Sequence, residues 1–101
     1  MKLHDDQKWT TSGLHAIMGY GAPAALMAAT VYPDREVWNL AGDGGIAMMN
    51  QELLTMSRYN MHVLNVVFTN ETLGFIEAEQ VDESNQTLSG VKLPDNDWAK
   101  V

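Results

Sequence analysis

The chain has 101 residues, 46% of them hydrophobic, with thirteen acids and six bases giving a formal charge of −7 at pH 7. That length suits one small domain, and the acidic balance argues against nucleic acid or an anionic membrane as a partner, since both need a basic patch. Cysteine is absent, which excludes disulfide scaffolds, thiolate metal sites and cysteine nucleophiles together and fits a reducing compartment. No window approaches the roughly 18 unbroken apolar residues of a membrane span. The start, Met1-Lys2-Leu3-His4-Asp5-Asp6, has no apolar run of signal-peptide length. The expectation is a soluble, cytoplasmic chain.

In chain order, the first strong element lies in 14–29. Gly19-Tyr20-Gly21 should form a bend or a tight backbone contact, and from about Pro23 the Ala, Leu and Met residues predict a helix, with proline suited to its first turn. Tyr32-Pro33-Asp34-Arg35 reads as a turn, and 36–41 as a short strand that stops at Gly42-Asp43-Gly44-Gly45. A helix from about Ile46 to Tyr59 follows, with Ile46, Met49, Leu53 and Met56 on one face. Val63-Leu64-Asn65-Val66-Val67-Phe68 is nearly all apolar, as expected of a strand buried on both faces. A short helix through Phe75–Glu79 and a loop through Ser89-Gly90 and Pro94-Asp95 complete the chain. Glu71, Glu77, Glu79, Asp82 and Glu83 form an acidic stretch without Lys or Arg, read as a solvated face.

Alternating helices and strands imply an α/β fold: a parallel sheet with flanking helices and right-handed crossovers. Two strands make a poor sheet. The chain is therefore expected to be part of a larger domain, or to be completed by a partner.

Chemistry is expected where the first strand ends in Gly-Asp-Gly-Gly and a helix opens behind it. In open α/β sheets ligands bind beyond the carboxyl ends of the strands, glycines admit close backbone approach, and a helix N-terminus favours an anion. Asp43 in such a phosphate cradle would repel the phosphate unless it held a divalent cation that binds the phosphate in turn. The plain alternative is a turn with an N-capping aspartate. The next strand ends in Phe68-Thr69-Asn70, and adjacent strands would set Asn70 beside Asp43. An amide oxygen is a hard, neutral ligand for Mg²⁺ or Ca²⁺.

Gly42-Asp43-Gly44, a helix, a buried strand and then Asn70, with 25 residues between Gly44 and Asn70, resemble the signature of thiamine-diphosphate-dependent enzymes. The segment Ser12–Ala25 and Tyr32–Val37 extend the resemblance, which covers residues 9–101 and is nearest to bacterial pyruvate oxidases through Val66–Asn70, Gly74-Phe75-Ile76 and Glu79-Gln80. The resemblance implies a partial diphosphate-binding (PP) domain spanning 1–101. It implies Mg²⁺ ligated by Asp43, the Asn70 side chain and the Thr72 carbonyl. Gly42, Gly44 and Gly45 would lie at the diphosphate, with the Gly44 and Gly45 amides holding it. Met18 would brace the cofactor in its bent shape, and the Ala16 carbonyl would accept from its 4′-amino group. Phe75 and Glu79 would stand near the reacting centre, on the side facing a flavin.

The resemblance further implies a 2-oxo acid, pyruvate, as substrate, with phosphate and oxygen as co-substrates and FAD in the full-length protein. A glutamate from the pyrimidine-binding domain of another subunit is also needed, hence a homo-oligomer. The chain alone is expected to be inactive and to bind cofactor weakly. Thr69 stands where many relatives have a first Asn. Other thiamine-diphosphate decarboxylases, acetolactate synthases or a non-catalytic interaction remnant are the alternatives. Gly19-x-Gly21-x-x-Ala24 imitates a dinucleotide fingerprint, but a polar stretch rather than a strand precedes it. His4, His15 and His62 share no ligand spacing and read as surface or half-buried residues. The methionines apart from Met18, and Trp9, Trp38 and Trp98, read as packing residues.

Overall fold

A computed structural model describes residues 2–83 and 87–101; Met1, 84–86 and the side chains of the acidic Asp82 and Glu83 lie outside the described set. After a 3₁₀ turn at Gly13–His15, the order is α1 (Gly21–Val31), β1 (Val37–Gly42), α2 (Asp43–Met48), α3 (Gln51–Arg58), β2 (Val63–Phe68) and α4 (Gly74–Glu83), with a 3₁₀ turn at Trp98–Lys100. The bend before α1 is present, with Gly19 at φ +89°. The helix starts at Gly21, so Pro23 falls in its first turn, where a missing N–H costs no hydrogen bond. Small residues on α1, Ala22 and Ala25, are buried and let it lie close against β1 and β2.

β1 and β2 pair in parallel, from Val37 opposite Val63 to Gly42 opposite Phe68. The sheet has two strands, as the sequence predicts. Side chains alternate across a strand. Val37, Asn39 and Ala41 face the same side as Val63, Asn65 and Val67, and none of these six is exposed. The opposite face carries Trp38, Leu40, Leu64, Val66 and Phe68, and Trp38 (58%) and Phe68 (63%) are largely open to solvent. The expectation of β2 buried on both faces is therefore corrected: within this chain one face is covered and the other bare. A radius of gyration of 15.7 Å exceeds the roughly 13 Å of a closed domain of this length, which agrees with an open sheet.

The single helix expected over Ile46–Tyr59 is two. The chain leaves helical geometry at Met49 (φ −132°, ψ 31°), whose amide bonds back only to Ile46, and helix resumes at Gln51. Ile46 and Met56 remain buried on either side of the break, and Met49 and Leu53 half-buried. Among the described residues the buried apolar ones are Ala22, Ala25, Ile46, Met56 and Val91. Packing roles for Trp9, Trp38, Met27 and Met48 are likewise corrected, since all four are exposed, whereas Met49, Met56 and Met61 are half-buried or buried as read. Trp38 instead donates through its indole N–H to Glu36 at 2.6 Å. His4, His15 and His62 are exposed, as read. Among the described residues no helix is long and apolar enough to cross a membrane.

Candidate functional site

β1 runs extended to Gly42 (φ −75°, ψ 161°), and α2 opens on Asp43. Asp43 is 5% exposed, a cost for a carboxylate unless its oxygens are hydrogen-bonded. They are. The Gly44 amide donates to Oδ1 at 2.8 Å, while the amides of Asn70 and Glu71 donate to Oδ2 at 3.1 and 2.8 Å. One carboxylate thus ties the tip of β1 to the tip of β2. Glu71 sits in the left-handed region at φ +55°, a conformation that disfavours a side chain by about 1–2 kcal/mol and that accompanies the turn of its amide toward Asp43.

The loop after β2 is held by its own contacts. Asn70 Oδ1 accepts from the Thr72 amide at 3.2 Å, an Asx-type turn. Thr72 pairs with Lys92 in an antiparallel bridge; its bonds run from Leu73 N to the Val91 carbonyl and from Leu93 N to the Glu71 carbonyl, and neither uses the Thr72 carbonyl. The Thr72 hydroxyl lies 2.9 Å from Glu77 Oε2 and 3.2 Å from the Val91 carbonyl, and Glu77 Oε1 is 3.1 Å from Lys92 Nζ. Sequence reasoning missed this clamp. The one signal was the apolar–polar–apolar alternation of Val91, Lys92 and Leu93, too short to read as a strand by itself.

Gly44 is the crowded point. A Cβ there would come within 2.6 Å of Met18 Cε, 2.8 Å of Leu73 Cδ2 and 3.4 Å of Leu93 Cδ1. Three segments converge on this glycine, Met18 among them, and the backbone of Gly19 lies against Gly45. Ala16 is exposed and left-handed, at φ 42°. Asn70 is exposed, with its Nδ2 beside Gly74. The structure therefore brings Asp43, Gly44, Gly45, Asn70, Thr72 and Met18 into one neighbourhood next to exposed Gly42. Phe75, 89% exposed, and Glu79 point to solvent from α4, and among the described residues no hydrogen bond joins either to Asp43. A pocket of about 260 Å³ between α3, β2 and Trp98 contains none of the predicted site residues.

Burial pushes the Asp43 carboxyl up, but the amides of Gly44, Glu71 and Asn70 together outweigh it and hold its pKa below the ordinary 3.8. The hydrogen bond from Lys92, then that from Thr72, holds Glu77 below its ordinary 4.5. A carboxyl with a lowered folded pKa adds stability that is complete above its unfolded value and is lost as pH falls through the folded one. The melting temperature is therefore expected to be flat above about pH 5 and to fall with acid below about pH 4, with a shallower fall in Asp43→Asn. Melting curves from pH 2 to 7 check this; an identical acid slope in the variant would remove Asp43 from the account.

The family model described as "Thiamine pyrophosphate enzyme, C-terminal TPP binding domain" matches residues 1–101. Pyruvate oxidase of Lactiplantibacillus plantarum is 46% identical over 101 residues, covering 100% of this chain and 17% of that protein. The large subunit of acetolactate synthase isozyme 1 of Escherichia coli K12 is 40% identical over 78 residues, 77% of this chain and 14% of that protein. Among solved structures, the thiamine diphosphate-dependent 4-hydroxybenzoylformate decarboxylase of Rhodococcus jostii RHA1 superposes with a TM-score of 0.70 at 27% identity, over 82% of this chain and 16% of that one. The chain thus spans about a sixth of the length of these relatives.

Proposed function

Because the chain belongs to the thiamine pyrophosphate enzymes, matching their C-terminal TPP-binding domain, we propose that it holds the diphosphate of thiamine diphosphate through one Mg²⁺ seated between the tips of β1 and β2. The observation that carries this reading is the Asp43 carboxylate bonded to the amides of both tips. The donor set fits a small hard cation. Asp43 Oδ1 and Asn70 Oδ1 each accept one N–H and keep a second lone pair, and the Thr72 carbonyl lies outside the bridge pairing. Among the described residues no three His, Asp or Glu side chains cluster. The cation would thus depend on one carboxylate, neutral oxygens and the ligand's own phosphate oxygens, the usual habit of Mg²⁺.

In this reading Asp43, Asn70 and the Thr72 carbonyl hold the ion, and Gly45 presents its amide to the diphosphate at the start of α2, next to Gly42; the Gly44 amide, bonded to Asp43 Oδ1 here, would join it only by leaving that carboxylate oxygen. Met18, already against Gly44, borders the same space, and the Ala16 carbonyl is assigned to the aminopyrimidine. When bound, the cofactor supplies an electron sink for cleaving the bond next to a 2-oxo group. The protein's part is to orient it and to hold the cation that would neutralise the charge of its diphosphate.

The wider reading is a pyruvate-oxidase-like enzyme that takes pyruvate, phosphate and oxygen and carries FAD, with a pyrimidine-binding domain supplied by another subunit of a homo-oligomer. Similarity over the full chain to a pyruvate oxidase supports it. Phe75 and Glu79 belong to this part of the proposal, their exposure leaving them free to meet such neighbours. Similarity to acetolactate synthases supports the alternative of a synthase, and the bare sheet face supports a purely associating remnant. Turnover by the chain alone is not expected.

Calorimetric titration of thiamine diphosphate tests the core of the proposal. Weak, saturable binding is expected with Mg²⁺, none with EDTA, none for NAD⁺, and an affinity at least about tenfold lower in Asn70→Ala. Equal binding with and without the metal would overturn it.

A further inference from the structure

One buried polar contact in the sheet has no part in the site's chemistry. Asn39, 3% exposed at the middle of β1, stands opposite Asn65 in β2 and donates from Nδ2 to Asn65 Oδ1 at 2.8 Å. Asn65 Nδ2 in turn lies 3.8 Å from the Met56 sulfur on α3. On its other side the Asn39 Oδ1 meets Gly21, the first residue of α1, so closely that any Cβ there would collide with it. Two strands and two helices meet at this amide pair.

Its neighbours on the covered face carry no such information. Val37 opposes Val63 and Ala41 opposes Val67, apolar pairs with no directional bond to fix a register, and a slip of two residues would keep every side chain on its own face. The same slip would set Asn39 against Val63 or Val67 and leave a buried amide without its partner. It would also move Asn70 by about 6.6 Å along the sheet relative to Asp43, two residues at the rise of a strand. That is farther than the reach of the hydrogen bonds now joining the two tips.

We infer that Asn39 and Asn65 are positioning residues for the cation site: their amide pair selects the one strand register in which Asp43 and Asn70 stand together, and through Gly21 it fixes the start of α1, three residues after Met18. The inference rests on the reading of Asp43 and Asn70 as cation ligands, but its register component can be read without any ligand.

The test pairs two measurements on the whole chain. In Asn39→Leu/Asn65→Leu, where both amides are replaced so that no orphan remains, cross-strand NMR contacts between Ala41 and Val67 should weaken or give way to shifted pairs. The affinity for thiamine diphosphate with Mg²⁺ should drop at least tenfold while helix content by circular dichroism is kept. Asn65→Asp, which retains the acceptor for Asn39 Nδ2, should keep the register and most of the affinity. Should the leucine pair fail to fold, Asn39→Val/Asn65→Val, β-branched like the neighbouring Val63 and Val67, gives the same readout and again leaves no orphaned amide. Wild-type register in the leucine or valine variant overturns the inference whatever the ligand does, as does a lost register with undiminished affinity. Failure of the wild-type chain to bind, with the register lost in the variant, overturns the cation-site reading and leaves the register role standing.

Discussion

Asp43→Asn is expected to remove Mg²⁺-dependent binding of thiamine diphosphate and to lower the stability of the chain by about 2–3 kcal/mol. The two losses have one origin. Three backbone amides from two strand tips converge on the carboxylate, and an amide in its place offers one acceptor oxygen and turns an NH₂ group toward the N–H donors on the other side. Asp43→Ala would leave the buried Gly44 amide and the part-buried Asn70 and Glu71 amides without this acceptor, at up to about 1–3 kcal/mol each where water does not take its place. That is comparable with the whole stability of a small domain, about 5–15 kcal/mol, so the asparagine variant is the informative one. Urea unfolding and calorimetry together check the pair of effects. Unchanged stability with lost binding would mean that the amides do not need the carboxylate. Lost stability with retained metal-dependent binding would remove Asp43 as a ligand.

Gly44→Ala should do the reverse, with little change in stability and a loss of binding of at least tenfold. The new methyl would meet Met18 Cε, Leu73 Cδ2 and Leu93 Cδ1. All three are ends of flexible side chains that can move aside, at a cost of about 1 kcal/mol or somewhat more. Replacing glycine within a helix returns about 1 kcal/mol, so the sum is near zero. The methyl and the displaced side chains would crowd the amides assigned to the diphosphate. A denaturation midpoint close to wild type with no detectable binding is the expected pair of results. Wild-type affinity would show that the diphosphate does not lie over Gly44.

The parts of this chain that the sequence made legible are those fixed by local chemistry. The β-branched run at 63–68 is a strand with those bounds, since its residues suit little else, and Gly42 closes β1 where the glycines begin. The meeting of Asp43 with the Asn70 tip could be anticipated because parallel neighbouring strands end on the same side of a sheet. The helix break at Met49 could not, because Ile46, Met49, Leu53 and Met56 keep helical spacing straight through it. Exposure was misjudged at Trp38, Leu64 and Phe68 for a different reason. An apolar run says that a side chain can be buried, while burial itself depends on what else covers the sheet. The Glu77–Lys92 pair of the clamp and the Asn39–Asn65 pair join residues 15 and 26 positions apart, which no periodicity reports. The Gly-Asp-Gly-Gly turn and the terminal Asn drew attention to one place in the chain because they have few bland uses in combination, and the structure sets Asp43 against Asn70 there, while Phe75 and Glu79 stand in solvent.

The most direct measurement replaces Mg²⁺ by paramagnetic Mn²⁺ and follows the amide NMR signals of the chain with thiamine diphosphate present. A single ion between the strand tips must broaden Gly44 and Gly45 on one side and Asn70 and Glu71 on the other together, at the same metal concentration, and must spare the Glu79 face of α4. Broadening confined to one tip, or spread first along the acids of α4, would contradict it.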